Sequence, residues 1–382
     1  MIPVLTDEHE ALVELVRDVC EREVAPHTAE WDANHQVPME ALRTLGSLGL
    51  LGVIIPEEYG GAGLDYTALT LVVEELARYD AGLSVAVAVH AGLCAAPLLR
   101  FGSEEQKARY LPRLATGELL GAYALTEPDA GSDTAAIRAR ATATGDDWRI
   151  DGTKTWITNG GFADFFIVFA RTGAAGAKGV SAFLVERREG LESSKEIPKL
   201  GLHTSSTAEL VLDGLEVPGS DLIGVVDEGL KIALATLDGG RITIAAQACG
   251  IARAAVDLSV SYATERQAFG GPIGRFQGVQ FPIADVAARL EGARLLTLRA
   301  AALRSTGRPH GIEGAQAKLV ASRVAVDAAD VAVQTLGGYG YSAEFPAERL
   351  YRDAKITEIY EGTSQIQRLV IARHLLGPAA RG

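Results

Sequence analysis

The feature that most constrains the fold is a change of texture along the chain: helical periodicity, then short strand-like runs, then helical periodicity again. Up to about residue 122 the spacing predicts helices. Thr6 precedes Asp7 and Glu8, and Ala11, Leu12, Leu15 and Val16 follow at helical intervals. Ser103-Glu-Glu-Gln106 is a capping box ahead of KARYLPRL. From about 123 to 228 the runs WRIDGTKTWIT, FFIVFA, VSAFLVE and AELVLDGLEV are rich in β-branched and aromatic residues, with Gly, Asn and Asp between them. Several alternate apolar and polar residues, which predicts a compact antiparallel β domain. From about 229 onward long helical segments return, among them FPIADVAARLEGARLLTLRAAALR. This blocked order excludes a doubly wound parallel sheet, in which strand and helix alternate throughout. The expectation is a mainly α protein with an inserted β domain, divided at 1–122, 123–228 and 229–382.

Two segments imitate other architectures. Between Asp80 and Arg100 the stretch GLSVAVAVHAGLCAAPLL carries no charge, and its length approaches the roughly 20 residues of a membrane span. Its Ala and Gly content, with His90 and Pro97 inside it, predicts a buried helix whose neighbours approach closely, and no membrane span. The second segment, Gly338-Tyr-Gly340-Tyr-Ser-Ala343, satisfies the dinucleotide pattern GxGxxA. That pattern has its meaning only after a strand. Here it follows VASRVAVDAADVAVQTL, an amphipathic helix, so a Gly-rich helix end is expected.

Charge and composition remove other classes. With 36 basic and 49 acidic residues the net charge is −13, which excludes bulk nucleic-acid binding but leaves room for a local basic pocket around one phosphorylated ligand. The seven histidines form no HExxH and no ligand pair on one helical turn, and no GxSxG occurs, so no metal site is expected. Cys20, Cys94 and Cys249 lie far apart, without CxxC. The opening MIPVLTDEHE has neither a basic nor an apolar leader pattern. Both observations fit a cytoplasmic setting.

Three segments carry chemistry. Tyr123-Ala-Leu125-Thr126-Glu-Pro-Asp-Ala-Gly-Ser132-Asp133 stands at the α-to-β junction and offers hydroxyls and backbone amides to an acceptor-rich ligand; taken alone it is a loop. In Lys154-Thr-Trp156-Ile-Thr158-Asn159-Gly160, Trp156 and Thr158 are two apart and project from one face of a strand. A Trp beside a hydroxyl suits a flat heteroaromatic ring needing a wall and one hydrogen bond. The third segment runs from Ala354 to Gln365. Ser364-Gln-Ile-Gln367 predicts a capping box for the terminal helix, leaving Glu361 on the loop before it, next to Gly362. Glutamates in such places are usually surface residues; buried beside an apolar ligand, one gains proton affinity and can act as a general base.

Together with Leu237-Asp-Gly-Gly-Arg241, Glu265-Arg-Gln-Ala-Phe-Gly270 and Gln334-Thr-Leu-Gly-Gly-Tyr-Gly340, these segments resemble the acyl-CoA dehydrogenase family. They occur in the family's order and span nearly the whole chain, with the nearest likeness to the short-chain branch between Arg349 and Leu376. The resemblance implies an α domain, a β-barrel domain and an α four-helix bundle, with bound FAD and a homotetramer. It implies that Tyr123, Leu125, Thr126 and Ser132 border flavin and pantetheine, that Trp156 packs on the isoalloxazine, and that Thr158 bonds its N5 edge. Arg266 and Gln277 would meet the FAD pyrophosphate, with Gln334, Gly337 and Gly338 near the nucleotide across a subunit interface. Thr363 and Gln365 would bring a helix N-terminus to the cofactor. Asp238, Arg241, Ser132 and Gly362 would contact the acyl-CoA substrate.

By the same resemblance, Glu361 matches the usual catalytic base, and the place used by the isovaleryl-type branch is here Gly240, which takes no proton. The implied reaction is α,β-dehydrogenation of an acyl-CoA thioester, with electrons passed to an electron-transfer flavoprotein. An oxidase or an acyl-carrier-protein-linked dehydrogenase on the same fold is the alternative, and a non-catalytic scaffold would lack the bound flavin. Glutaryl-CoA enzymes place an arginine where Ser84 aligns, and residues 81–99 here hold no cation. A short- to medium-chain, uncharged acyl group is therefore expected.

Overall fold

The structure is a computed structural model and describes residues 5–380; the first four residues of the opening MIPVLTDEHE lie outside the described residues. The N-terminal part consists of helices α1 (Asp7–Val19), α2 (Thr28–Asn34), α3 (Met39–Ser47), α4 (Tyr66–Tyr79), α5 (Ala81–Val87), α6 (Ala96–Phe101) and α7 (Glu104–Ala115). Both expected caps form. The Thr6 hydroxyl accepts from His9 N at 3.3 Å, and Ser103 accepts from Gln106 N at 3.2 Å. The Gln106 amide also donates to the Ser220 and Leu222 carbonyls at 2.8 and 2.9 Å, tying α7 to the β domain.

The uncharged stretch is a buried helix, as expected. A π-helical segment, Ala88–Ala95, joins α5 to α6, so Ala81–Phe101 runs without a break and its apolar window is 94% buried inside the protein. Its polar groups are all engaged. Ser84 donates to the Val73 carbonyl at 2.9 Å. His90 bridges the Leu114 carbonyl (3.0 Å) and the Gly121 amide (3.1 Å), and burial pushes its pKa down to about 4, so it stays neutral.

The middle part holds β1 (Gly121–Ala124), β2 (Arg140–Thr144), β3 (Asp147–Thr158), β4 (Phe165–Arg171), β5 (Val180–Glu186), β6 (Leu191–Glu196), β7 (Thr207–Val217) and β8 (Leu222–Ile223). Its order is β6-β7-β3-β2-β4-β5-β8, with β1 alongside β4. The expectation of an antiparallel domain needs correction at two places. β1 runs parallel to β4, and β2 meets β4 through one parallel pair, Arg140 and Arg171. In a flat sheet β5 and β6 would stand five strand spacings apart, about 24 Å. The link between Glu186 and Leu191 reaches at most about 18 Å, so the sheet must curl. It wraps around Ile150, Phe166, Val168, Phe183, Leu210 and Leu215. β4 is buried on both faces: Phe166, Val168 and Ala170 point into the sheet's interior, while Phe165, Ile167 and Phe169 join the helical core.

At the entrance to this domain Lys154 Nζ pairs with Glu127 Oε1 at 2.6 Å, with both side chains buried. Glu127 also accepts from Ala139 N at 3.0 Å, and burial draws the Lys154 pKa down to about 8 against the attraction of Glu127. Removing one partner strands the other charge out of water. Lys154→Met is expected to lower unfolding stability by about 3 kcal/mol in urea titrations; an unchanged midpoint would show the pair to be dispensable.

The C-terminal part contains α8 (Gly229–Glu265), a small hairpin of β9 (Gln267–Ala268) and β10 (Gly271–Pro272), then α9 (Gln277–Ser305), α10 (Gly311–Leu336), α11 (Pro346–Ile356) and α12 (Ser364–Leu376). α8, α9 and α10 pack on one another, α4 lies against α8 and α9, and α11 and α12 pack on α10. The GxGxxA segment is a 3₁₀ turn, Gly337–Tyr341, directly after α10, so no strand precedes it. The cap of α12 lies one residue earlier than expected. Thr363, not Ser364, accepts from Ile366 N, and the Gln367 amide turns to the carbonyls of the preceding loop instead of completing a box.

Candidate active site

The loop between α11 and α12 is built to present one side chain. Tyr360 OH donates to Gln247 Oε1 on α8, and Gln247 in turn donates to the Ala81 carbonyl at 2.7 Å. Gln367 Nε2 reaches the Glu361 carbonyl at 3.2 Å and the Gly362 carbonyl at 2.8 Å, and Lys318 Nζ donates to the same Gly362 oxygen at 2.7 Å. These contacts hold Glu361 at φ 54 and Gly362 at φ 87. A non-glycine residue in the left-handed region costs about 1 kcal/mol or more, and such strain persists only where the surroundings enforce it.

The left-handed turn sends the Glu361 carboxyl inward onto α8, where Gly240 leaves the space. A Cβ at Gly240 would overlap Glu361 Oε2, lie 2.9 Å from its Cδ and 3.1 Å from Leu93 Cδ2. Oε2 is sealed from solvent and has no hydrogen-bond partner. Burial raises the Glu361 pKa to about 7, opposed by the charges of Lys318 and Arg241. Burial raises the proton affinity of Tyr66, Tyr123 and Tyr360, and the charge of the nearby Glu361 adds to it.

Other expected residues gather nearby. Arg241 Nη1 pairs with Asp238 Oδ1 at 2.7 Å, while Arg241 Nε is buried without a partner. Tyr123 OH donates to the Ala233 carbonyl at 3.4 Å. Leu125 is buried, and its carbonyl accepts from Lys154 Nζ at 3.3 Å; Thr155 N donates to the Thr126 carbonyl at 2.9 Å, so these positions adjoin the Trp156 segment. Trp156 and Thr158 do share a face, since Ile157 between them points into the sheet. What simple alternation missed is the register shift between Lys154 and Ile157: Trp156 sits in it at φ 60, with its side chain 58% exposed. Ser132 lies exposed on the neighbouring loop.

A second group stands elsewhere. Arg266, Gly337 and Gly338 line a recess of about 530 Å³ with Tyr262 and Tyr339, and the Arg266 guanidinium lies 5.7 Å from the Tyr339 ring centre. Gln277 opens α9 and Gln334 lies in the last turn of α10, both exposed. Roughly 28 Å of helix separates Lys318 from Gly337 along α10, so one chain does not bring this recess to Glu361. Thr363 starts α12 beside the acid loop, and Gln365 is exposed on its first turn.

Residue-by-residue reading missed Lys318, Gln367, Gln247, Tyr66 and Arg304. Arg304 occupies the notch at Gly239, where a Cβ would overlap its Nη1, and stacks 3.9 Å from the Tyr66 ring centre. Lys318 had a legible signal. It falls in the buried register Gly314, Ala317, Ala321, Ala325 and Ala328 of α10, a stripe where a lysine is out of place.

The family models for the N-terminal, middle and C-terminal domains of acyl-CoA dehydrogenase match residues 6–118, 122–215 and 227–376. The human mitochondrial short-chain specific acyl-CoA dehydrogenase is 48% identical over 374 residues, covering 97% of this chain and 91% of that protein. Among solved structures, butyryl-CoA dehydrogenase from Megasphaera elsdenii superposes with a TM-score of 0.97 at 43% identity, covering 98% of this chain and 100% of the other. A glutaryl-CoA dehydrogenase from Mycobacterium smegmatis in complex with FADH2 gives 0.93 at 33% identity, covering 99% and 97%. With all three domains matched in order, and a sealed acid at the junction of loop, α8 and α10, the chain belongs to the acyl-CoA dehydrogenase family of flavoprotein oxidoreductases.

Proposed function

We propose that this protein dehydrogenates short- to medium-chain acyl-CoA thioesters to trans-2-enoyl-CoA, with Glu361 as the base that removes the α-proton. The observation that carries this reading is the Glu361 carboxyl itself: sealed and without a partner at Oε2, and pushed to a pKa near neutrality. A carboxylate in that state is a stronger base than one in water and is poised for transfer at ordinary pH.

Bound FAD supplies the acceptor for the β-hydrogen, which leaves as hydride. The residues present fit such a group. Trp156 is an exposed flat wall with Thr158 on the same side, Thr126 adjoins it, and Tyr123 and Leu125 close the strand beneath. Thr363 accepts from Ile366 N, which leaves its own O–H free to donate at the start of α12, beside Gln365. The distant recess supplies a guanidinium from Arg266 and open backbone at Gly337 and Gly338, with Gln277 and Gln334 close in sequence, a set suited to pyrophosphate and nucleotide. Because this recess and Glu361 lie far apart within one chain, a cofactor touching both groups joins two copies, which supports at least a dimer; the homotetramer follows from the family resemblance alone. Electrons leave to an electron-transfer flavoprotein.

Toward the substrate, Arg241 and Asp238 offer a paired donor and acceptor, and by the family resemblance the Glu361 backbone N–H would bond the thioester oxygen as charge gathers there. On the acyl side, residues 81–99 carry no free cation: Ser84 is committed to Val73 and His90 is neutral. A second carboxylate buried there would go unpaired, at several kcal/mol. Anaerobic titration with acyl-CoA esters of increasing length, following loss of flavin colour, tests the reading. Butyryl-CoA is expected to bleach the flavin readily and glutaryl-CoA poorly; comparable bleaching would overturn the substrate assignment, and oxygen consumption would redirect the reading to an oxidase.

A further inference from the structure

Lys318 is fully buried in α10, among the small buried residues Gly314, Ala315, Ala321 and Ser322. An ammonium in such a place needs acceptors, yet its one hydrogen bond goes to the Gly362 carbonyl, 2.7 Å away. A methionine would fill the same volume with no desolvation to overcome, so packing does not account for a lysine there. What its single bond does is local. It anchors the peptide that follows Glu361, at the one place where the loop takes two successive left-handed residues, φ 54 and φ 87. Gln367 donates to that same carbonyl oxygen from α12, so the turn is gripped from two helices.

We propose that Lys318 is the positioning residue of the base: its ammonium clamps the Gly362 carbonyl, fixes the left-handed turn, and aims the Glu361 carboxyl over Gly240. The inference rests on the assignment of Glu361 as base. The ammonium also acts through space. Its charge favours the Glu361 anion, and burial brings the Lys318 pKa down to about 7 against the pull of Glu361. The other charged groups facing the pair are Arg241 on α8, which opposes protonation of Lys318, and Glu358 on the same loop, which favours it. Arg241 is held by Asp238, and Glu358 by Lys355 at 2.6 Å and Arg323 at 3.9 Å. Tyr66, Tyr123 and Tyr360 complete the ring of titratable side chains around the acid.

The test uses Lys318→Met and Lys318→Gln holoenzymes with butyryl-CoA, measuring the flavin-bleaching rate at saturation, KM, and the pH profile. In the methionine variant the rate is expected to fall about 10- to 100-fold through misaimed geometry, with KM near the wild-type value. The acid limb of the profile is expected to move to higher pH, because removing a cation makes the Glu361 anion harder to form. Lys318→Gln keeps an N–H donor without the charge, so it should regain part of the rate while keeping the displaced limb. A lysine that served only the fold would lower the melting temperature and leave rate per bound flavin and limb unchanged; that result overturns the proposal. Should the methionine variant fail to fold, the glutamine variant decides alone, and a wild-type rate and limb in it are equally fatal. Glu361→Gln separates the two ideas: wild-type bleaching there removes the base itself, whereas an inert Glu361→Gln beside fully active Lys318 variants removes only the positioning role.

Discussion

Glu361→Gln will yield a protein that folds, keeps its yellow colour and binds acyl-CoA, but bleaches roughly 100- to 10,000-fold more slowly than the wild type. Glutamine keeps the volume over Gly240, can occupy the same left-handed backbone, and retains an oxygen toward the chamber. What it loses is the capacity to take a proton. Stability should not suffer, because the native carboxyl has Oε2 sealed and unpartnered, an arrangement that opposes folding when the group is charged. The wild-type profile should carry an acid limb near neutrality, with activity rising as Glu361 loses its proton through a pKa of about 7. Bleaching at the wild-type rate in the variant would move the base elsewhere.

The second large effect is expected at Gly240→Ala, where activity and stability should part company. An added Cβ lies 2.9 Å from Glu361 Cδ and overlaps Oε2, whereas carbon atoms in contact rest at about 3.5–4.0 Å, so the carboxyl must retreat by roughly 1 Å. A misplacement of that size in a reacting group lowers the rate by about 100-fold. Alanine in a helix interior is meanwhile favoured over glycine by about 1 kcal/mol, so α8 itself gains. Thermal melting should show no loss, and flavin content should hold, while bleaching slows. An alanine variant with the wild-type rate would mean that the acid works from another position.

Much of the scaffold was legible because its signals are local. A hydroxyl ahead of acidic residues caps a helix wherever it occurs, and Thr6 and Ser103 do so. The helix from Ala81 to Phe101 was legible as buried, since its small residues suit close neighbours better than lipid. Elements set by distant partners were not. The parallel pairing of β1 with β4 depends on where the chain returns after β3, and the bulge at Trp156 depends on the length of β7 opposite it. Thr363 took the cap expected of Ser364 because Gln367, the other half of that motif, is drawn to the carbonyls at Glu361 and Gly362.

The sequence by itself determined the three-part order of helices, strands and helices, the helix starts, and the glutamate beside a glycine in a family-specific loop, because periodicity, capping and motif spacing are properties of neighbouring residues. Only the tertiary structure decided that one oxygen of this glutamate is sealed, that Gly240 makes room for it, and that Lys318 reaches the neighbouring Gly362 carbonyl from another helix. Proton affinity and aim are set by what surrounds a group in space. Those surroundings come from α4, β1, α8, α10 and α12, which meet only once the chain has folded.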